Sequence, residues 1–352
     1  MEFRSRIFVH AQAVATAWQH IGTLRSPQAI DPAAVRRHVV GCRDFTGTTT
    51  AVVAHWDPQG VVDAYVVYLC RQFKKLGWKV VLASGGPVRC EERPDWADAV
   101  ISRICDGYDF TSWKAALATF PTLLACKELV LCNDSVFGGL GAYGAMHAKM
   151  AALPCDFWGI TESHEVVPHL QSFYLVFRPA ALRHPAFSDF FDRVPLCNAR
   201  TEAIRCETTL SLWLALHGLR PAAFVPCVTA AWQRVNPSCE RWAELLRLGA
   251  PVFKRELVLK NEREVSLVGW MDRVIATGYP LALLVAYCNR IGVDITPAIH
   301  GRDAPKGVGE GTAYPGRRFP VGSATPRAAP ANEKGFCEED RTKYCGPNAK
   351  ER

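Results

Sequence analysis

The stretch Glu128-Leu129-Val130-Leu131-Cys132-Asn133-Asp134-Ser135 is an apolar run that ends in three polar residues. Such a run, short and bounded by turn-forming residues, is typical of a strand that is buried on both faces of a parallel sheet. Open α/β sheets bind their ligands outside the carboxyl ends of their strands. The triplet Asn133-Asp134-Ser135 is therefore the first candidate for a ligand site.

Three further runs along the chain have the same character. They are Ala51–Asp57, Lys79–Ser84 and Ala99–Arg103. Apolar residues at helical spacing predict a helix over Val61–Leu76 that stops at Gly77, and a second helix is expected from Asp109 to Leu124. Strands that alternate with helices predict an α/β domain with a Rossmann-like, mixed but mainly parallel sheet flanked by helices.

The second half of the chain predicts a mixture of strands and helices. The expected strands are Asp156–Thr161, His169–Arg178 and Ala222–Val228. The expected helices are Gly141–Ala151, Pro185–Phe191, Glu202–His217 and Arg241–Leu248. Residues 51–300 are predicted to form one domain, and residues 1–50, which show no β-run, an N-terminal extension with some helix. Residues 301–352 are rich in glycine, proline and charge, which predicts a disordered tail.

Composition narrows the class of protein. The 352 residues carry a net charge of +7 with Lys and Arg spread along the chain, which argues against a nucleic-acid partner. No apolar export signal follows Met1, so the 14 cysteines, which form no Cys-x-x-Cys pair, are interpreted as reduced core thiols rather than disulfides or zinc ligands. The most lipid-like run, Tyr279–Ala286, is far shorter than the ~20 residues that span a bilayer. A cytoplasmic protein is expected, at most peripheral on the cytoplasmic face of the membrane.

Five blocks in a fixed order resemble the rhamnan synthesis protein F family over residues 50 to 270. They are 107–114, 131–138, 156–161, 169–178 and 236–257. The sequence departs from the family pattern at Gly139, where proline is expected, and at Cys105-Asp106, a place that is often more polar.

The resemblance implies a glycosyltransferase-A-like domain. Its implied reaction moves a sugar, rhamnose or another deoxyhexose, from a nucleotide-diphosphate donor to a growing cell-surface polysaccharide or lipopolysaccharide O-chain. The implied partners are a glycan or lipid-linked glycan acceptor and other glycan-assembly enzymes.

Residues for the donor are expected at the strand ends. Asp134 is the candidate ligand for a divalent metal, Mg²⁺ or Mn²⁺, that bridges the donor phosphates. A single acid leaves metal dependence open, and cations are the alternative. The further candidates for substrate binding are His55, Asp57, Arg103, Asp109, Lys114, Asn133 and Ser135.

Each donor candidate also has a structural interpretation. The triplet is ordinary turn chemistry, and Asp57 before proline starts a turn. Asp109 is placed to cap a helix, Lys114 to lie on a solvated helix face, and Arg103 to pair with Asp109.

Transfer with inversion needs a general base for the acceptor hydroxyl. Glu162 ranks first, ahead of His164 and Glu207, because Glu162 and His164 follow a predicted strand. His169 and Gln171 lie two residues apart, so on a single strand they would share one face and bind acceptor hydroxyls.

Two other functions stay open on the sequence. One is a non-catalytic subunit that binds nucleotide sugars or acts as a scaffold in a polysaccharide-assembly complex. The other is a Rossmann-type oxidoreductase, which the missing Gly-x-Gly-x-x-Gly turn after the first strand disfavours, since Asp57-Pro58-Gln59-Gly60 stands there instead.

Overall fold

The structure is a computed structural model of the whole chain. It describes residues 21–22, 24, 29–31, 34–88, 94–103, 107–197, 199–227, 232 and 234–295. All of them belong to one compact unit within Met1–Pro305. The predicted tail, residues 301–352, and most of the first 33 residues lie outside the described residues.

A nine-stranded sheet dominates the described residues, with the order β1-β4-β3-β2-β5-β9-β7-β10 and β8 added alongside β7. Strands β4, β3, β2 and β5 run parallel, and β10 runs parallel to β7, whereas β1 and β9 are antiparallel to their neighbours. A separate ribbon pairs β6 with β11. The strands are β1 Val35–Val40, β2 Thr49–His55, β3 Lys79–Ser84, β4 Ala99–Arg103, β5 Glu128–Asn133, β6 Val136–Gly138, β7 Phe157–Ser163, β8 His169–Leu170, β9 Tyr174–Phe177, β10 Pro221–Val225 and β11 Val252–Lys254.

Helices cover both faces of this sheet. They are α1 Ala64–Lys75, α2 Asp109–Thr119, α3 Tyr143–Ala151, α4 Pro179–Leu182, α5 Pro185–Arg193, α6 Arg200–Leu216, α7 Pro237–Glu240, α8 Trp242–Arg247, α9 Arg255–Leu259, α10 Trp270–Ala276 and α11 Leu281–Arg290, with a short 3-10 helix at Pro121–Ala125. Successive residues of β2 alternate between two cores: Ala51 and Val53 face α1, α3 and the C-terminal helices, and Val52 and Ala54 face α2, α5 and α6. This explains why the strand reads as an unbroken apolar run.

The predicted α/β class with a mixed, mainly parallel sheet flanked by helices is confirmed. Strands β3 and β4 have the predicted bounds, and most other elements differ from prediction by a few residues at each end. The second predicted helix is shorter than expected, because α2 ends at Thr119 and the chain continues in the 3-10 helix from Pro121. The prediction that no strand precedes Ala51 was wrong, since β1 forms the edge of the sheet beside β4.

The single strand predicted over His169–Arg178 was also wrong, because the chain is divided there into β8 and β9. Both pieces pair antiparallel with β7, Leu170 opposite Glu162 and Leu175 opposite Gly159. From Leu170 to Leu175 the chain advances five residues, whereas the opposing stretch of β7, from Gly159 to Glu162, covers three. The difference is a bulge of two extra residues. The bulge separates β8 from β9, which is inserted between β5 and β7.

The cysteines of the described residues behave as the sequence predicts. All ten are free thiols, and every one except Cys42 is buried. Among the helices that the structure describes, none combines the length and the hydrophobicity required to cross a lipid bilayer.

Lys114 takes part in the fold rather than in the sheet edge where the sequence placed it. Its ammonium group is buried and donates hydrogen bonds of 2.9 and 2.7 Å to the carbonyl oxygens of Asp192 and Val194, at the end of α5. Burial lowers the pKa of this lysine. Neither the phosphate ligand nor the solvated helix residue expected from the sequence is found.

Lys114→Met is expected to lower the free energy of unfolding by about 1–3 kcal/mol, because the two carbonyl groups lose their donor. Denaturant unfolding measures this loss. The exposed Lys127 provides the control, and Lys127→Met is expected to leave stability nearly unchanged. A Lys114→Met protein of normal stability that no longer binds nucleotide sugars would contradict the structural role.

Candidate functional site

The carboxyl ends of six strands lie along one edge of the sheet. Strands β2, β3, β4 and β5 are mutually parallel, and β5 and β7 also share one direction because each pairs antiparallel with β9. Strand β10 follows β7 in parallel. The ends of β5 and β7 are separated by one strand, which puts them about 10 Å apart. This carboxyl edge is where ligands bind in open α/β sheets.

The triplet forms a connected polar network at the end of β5. The Asn133 amide donates to Asp109 Oδ2 at 2.8 Å, and Asn133 Oδ1 accepts from the Ser135 hydroxyl at 2.6 Å. Ser135 Oγ accepts in turn from Lys254 Nζ at 3.1 Å. Asp109 is the first residue of α2 rather than its N-cap, which is Tyr108. The carboxylate of Asp109 faces the triplet, and so the capping interpretation was wrong.

Asp134 is buried, with 5% of its surface exposed. Its Oδ2 accepts a 3.0 Å hydrogen bond from the backbone N–H of Trp56, and its Oδ1 lies 3.7 Å from the Arg255 guanidinium. The Tyr65 hydroxyl donates to the backbone carbonyl of Asp134, and Arg255 donates to that hydroxyl. The residue therefore joins β5 to the loop after β2, to α1 and to α9.

Lys254 and Arg255 are site residues that sequence reasoning missed. They lie about 120 positions after the triplet, and no local pattern connects them to it. In the structure Lys254 pairs with Val136 in the β6–β11 ribbon, and the Arg255 N–H donates to the Ser135 carbonyl at 3.0 Å. The signal that pointed to them is that both belong to the fifth resembling block.

A divalent metal at Asp134 is not supported by the side chains around it. Among the residues that the structure describes, no three His, Cys, Asp or Glu side chains are grouped closely enough to hold a metal ion. One oxygen of Asp134 is taken by a backbone N–H and the other faces a cation. Metals of the Mg²⁺ class need several oxygen ligands, and the described side chains around Asp134 do not supply them.

His55 and Asp57 are held in structural contacts. The imidazole of His55 contacts Ser84 Oγ at 3.2 Å and the Val61 carbonyl at 3.1 Å, and burial lowers its pKa. Burial tends to raise the pKa of Asp57, but hydrogen bonds from Val61 and Arg290 outweigh it, and the pKa is lowered. Asp57 is therefore a turn residue tied to α11, and both side chains already have partners within the fold.

Arg103 is fully buried and shapes the entry to α2. It donates to the Gly107 carbonyl at 2.6 Å, to the Tyr108 carbonyl at 3.2 Å and to Ser112 Oγ at 3.1 Å. A Cβ at Gly85 would come within 2.8 Å of its guanidinium, so a larger residue there would have to displace the Arg103 side chain. The sequence placed Arg103 correctly at the edge, but its guanidinium binds backbone carbonyls of the loop.

Glu162 and His164 form a pair at the end of β7. Glu162 belongs to the strand itself and is 2% exposed, and its Oε2 accepts the Cys227 N–H. Its Oε1 lies 2.9 Å from His164 Nε2, and the His164 side chain retains 16% exposure. Glu162 was predicted in a loop facing the acceptor, but it lies within β7 and is more deeply buried than the His164 imidazole. His164 is the more accessible member of the pair.

His169 and Glu207 form a second pair beside the bulge. Burial tends to lower the pKa of His169, but Glu207, 3.6 Å from Nε2, outweighs it and the pKa is raised. Burial tends to raise the pKa of Glu207, but contacts with His169 and Ser172 lower it to about 2. A carboxylate held so firmly in its charged form is a weak base, which removes the reason for choosing Glu207.

Gln171 does not share the surroundings of His169, because it lies in the bulge after β8. Its side chain accepts from Thr161 Oγ1 at 2.7 Å and donates to Asn236 Oδ1 at 3.0 Å and to Ser238 Oγ at 3.2 Å. The prediction that His169 and Gln171 present one strand face was wrong, because the bulge ends the strand between them.

The His169–Glu207 pair predicts a pH dependence of stability. The lowered pKa of Glu207 contributes stability above about pH 4.5 that is lost as the pH falls towards 2, and the raised pKa of His169 contributes stability at low pH that is lost as the pH rises through it. Glu207→Gln is therefore expected to reduce the free energy of unfolding by roughly 1–3 kcal/mol near pH 5.5 and by roughly half as much near pH 3, where a carboxylate with a pKa of about 2 is still mostly ionised.

Denaturant unfolding of both proteins from pH 6 to pH 3 measures this difference. Glu262→Gln, at an exposed glutamate, controls for the loss of a surface charge. A difference between wild type and Glu207→Gln that stays constant over this range would refute the lowered pKa.

Two curated relatives match part of the chain. Both are described as virulence protein VirA, one from Vibrio anguillarum strain ATCC 68554 / 775 and one from Vibrio anguillarum. Each is 25% identical over 198 residues, which cover 47% of this chain and 63% of the relative. The chain thus spans less than two thirds of the length of these relatives.

A family model matches a larger part of the chain. It is the model of rhamnan synthesis protein F, and it matches residues 87–300. The matched region contains the triplet, both histidine–glutamate pairs and the Lys254-Arg255 segment. The resemblance found in the sequence is confirmed, and the chain belongs to the rhamnan synthesis protein F family of polysaccharide biosynthesis.

Proposed function

We propose that this protein is a glycosyltransferase that moves a sugar from a nucleotide-diphosphate donor to a growing cell-surface polysaccharide, at the carboxyl edge of its sheet. The sheet and its edge site fit a glycosyltransferase-A-like domain. Membership of the rhamnan synthesis protein F family supports rhamnose or another deoxyhexose as the proposed sugar. The proposed acceptor is the growing glycan or its lipid-linked form.

The observation that carries this proposal is the meeting of two sequence-distant groups at one edge. The triplet network at the end of β5 holds polar and cationic groups suited to a donor, and His164 backed by Glu162 stands at the end of β7. The two strand ends are about 10 Å apart with β9 between them, and the donor sugar is proposed to lie across this span. A donor bound beside the triplet would present its anomeric carbon towards His164.

His164 is the proposed general base, with Glu162 as its positioning residue. Glu162 lies 2.9 Å from Nε2, so the proton of the neutral imidazole belongs on Nε2 and Nδ1 is left to accept a proton. In a direct displacement the acceptor oxygen bonds to the anomeric carbon while its proton passes to Nδ1. The bond from that carbon to the diphosphate breaks, and the leaving diphosphate takes the electron pair. This ranking reverses the sequence-based choice of Glu162 as base.

His164→Asn is expected to lower kcat by about 100-fold or more, because asparagine keeps a hydrogen bond to Glu162 but accepts no proton. The KM for the donor is expected to change little, since the imidazole acts on the acceptor. The assay measures release of nucleoside diphosphate from a panel of nucleotide sugars. Membranes from a strain that lacks this protein serve as the acceptor.

The matched control is His147→Asn. His147 also contacts a glutamate, with its Nδ1 3.3 Å from Glu128 Oε2, but Glu128 begins β5 at the opposite edge of the sheet. The control is expected to keep its kcat per folded molecule. A His164→Asn enzyme with the wild-type kcat would contradict the proposed base.

The alternative function is a non-catalytic scaffold or nucleotide-sugar-binding subunit. It is favoured by the burial of Glu162 and Asp134, because both carboxylates already have partners in the fold. The variants Asp134→Ala and Glu162→Ala are introduced into a deletion strain, and surface polymer is measured. Loss of polymer with normal protein levels agrees with the enzyme. Full polymer from both variants would favour a scaffold subunit.

A further inference from the structure

We propose that Lys254, oriented by Ser135, binds the diphosphate of the donor and offsets its charge without a divalent metal. This inference rests on the proposed function and specifies how its donor site works. No local sequence pattern singles out Lys254. Its role follows from the contacts of the cations at the carboxyl edge.

Lys254 is a half-buried cation with capacity for a ligand. Its Nζ donates to Ser135 Oγ at 3.1 Å and lies 5.1 Å from the centre of the Phe173 ring. Among the residues that the structure describes, no carboxylate lies within ion-pair distance of Nζ. An ammonium group has three N–H donors, and one of them is used by Ser135. The others are available for phosphate oxygens.

The other cations considered for this role are committed elsewhere. Arg103 donates to the carbonyls of the α2 entry loop, and Lys114 donates to the carbonyls at the end of α5. Arg290 pairs with Asp57 and Asp63, and Arg255 faces Asp134. Within the described part of the edge, Lys254 is thus the cation that donates to neither a carboxylate nor a backbone carbonyl.

Lys254 is held in place by backbone and side-chain contacts. It closes the β6–β11 ribbon opposite Val136, so its Cα is fixed next to the triplet. The Ser135 hydroxyl donates to Asn133 Oδ1 and accepts from Lys254, which fixes the direction of both groups. A preorganised cation loses little freedom when a phosphate binds.

The same contacts explain why a metal is not needed at Asp134. Metal-dependent sites supply carboxylates to a cation that bridges the phosphates. Here the Asp134 carboxylate is engaged by the Trp56 N–H and faces Arg255. The positive charge for the diphosphate then comes from Lys254, which contacts Ser135, the residue that follows Asp134.

Isothermal titration calorimetry on the full chain tests this inference with uridine diphosphate and thymidine diphosphate as probes. Each titration is run in EDTA and again with Mg²⁺ or Mn²⁺. We expect Kd to change by less than about twofold between these conditions. Lys254→Met is expected to weaken binding about tenfold or more, since one charge-assisted hydrogen bond to phosphate is lost.

Two further variants keep the result interpretable. Lys254→Arg retains the charge and is expected to keep most of the affinity, and circular dichroism checks the folding of both variants. Lys260→Met removes an exposed lysine whose side chain pairs with Glu262, and is expected to bind like wild type.

The outcomes separate the inference from the proposed function. Binding that disappears in EDTA and returns with metal would overturn the metal-independent site while leaving glycosyl transfer intact. Wild-type affinity in Lys254→Met would also overturn it. If neither probe nor any nucleotide sugar binds with or without metal, the proposed function itself fails.

Discussion

The buried carboxylate of Asp134 is the constraint on which the arrangement of the edge depends. A carboxylate that is 5% exposed is strongly destabilising unless it receives hydrogen bonds or an opposite charge. The Trp56 N–H and the Arg255 guanidinium provide them, and Tyr65 donates to the Asp134 carbonyl. One residue thereby ties β5 to the loop after β2, to α1 and to α9. The C-terminal part of the domain is held against the sheet by this compensation.

The same constraint brings Lys254 to the site. Arg255 must reach Asp134, and the residue before it in the chain ends β11 next to β6. Arg290 repeats the principle at the other end of the C-terminal helices, where it joins α11 to Asp57 and Asp63. Arg255, which faces Asp134, and Lys254, the cation proposed to bind the donor, are therefore neighbours in the same segment of the chain.

Much of the fold was predictable because its signals are local. Apolar runs ending in turn residues located β2 to β5, and the triplet was placed at the correct edge. The bulge between β8 and β9 left no such signal, because it depends on how residues 169–177 pair with β7 and β5. The role of Lys114 depends on the end of α5, which is close only in three dimensions. The position of Lys254 depends on pairing between β6 and β11, which are more than 110 residues apart.

The proposed site of the donor diphosphate is the carboxyl edge beside Ser135 and Lys254. The most direct test is a crystal structure of the full chain with a nucleoside diphosphate, grown in EDTA. Phosphate density is expected within hydrogen-bond distance of Lys254 Nζ, with the terminal phosphate, which carries the sugar in the donor, directed towards His164. Phosphate density at another part of the surface, with Lys254 still bonded only to Ser135, would contradict it.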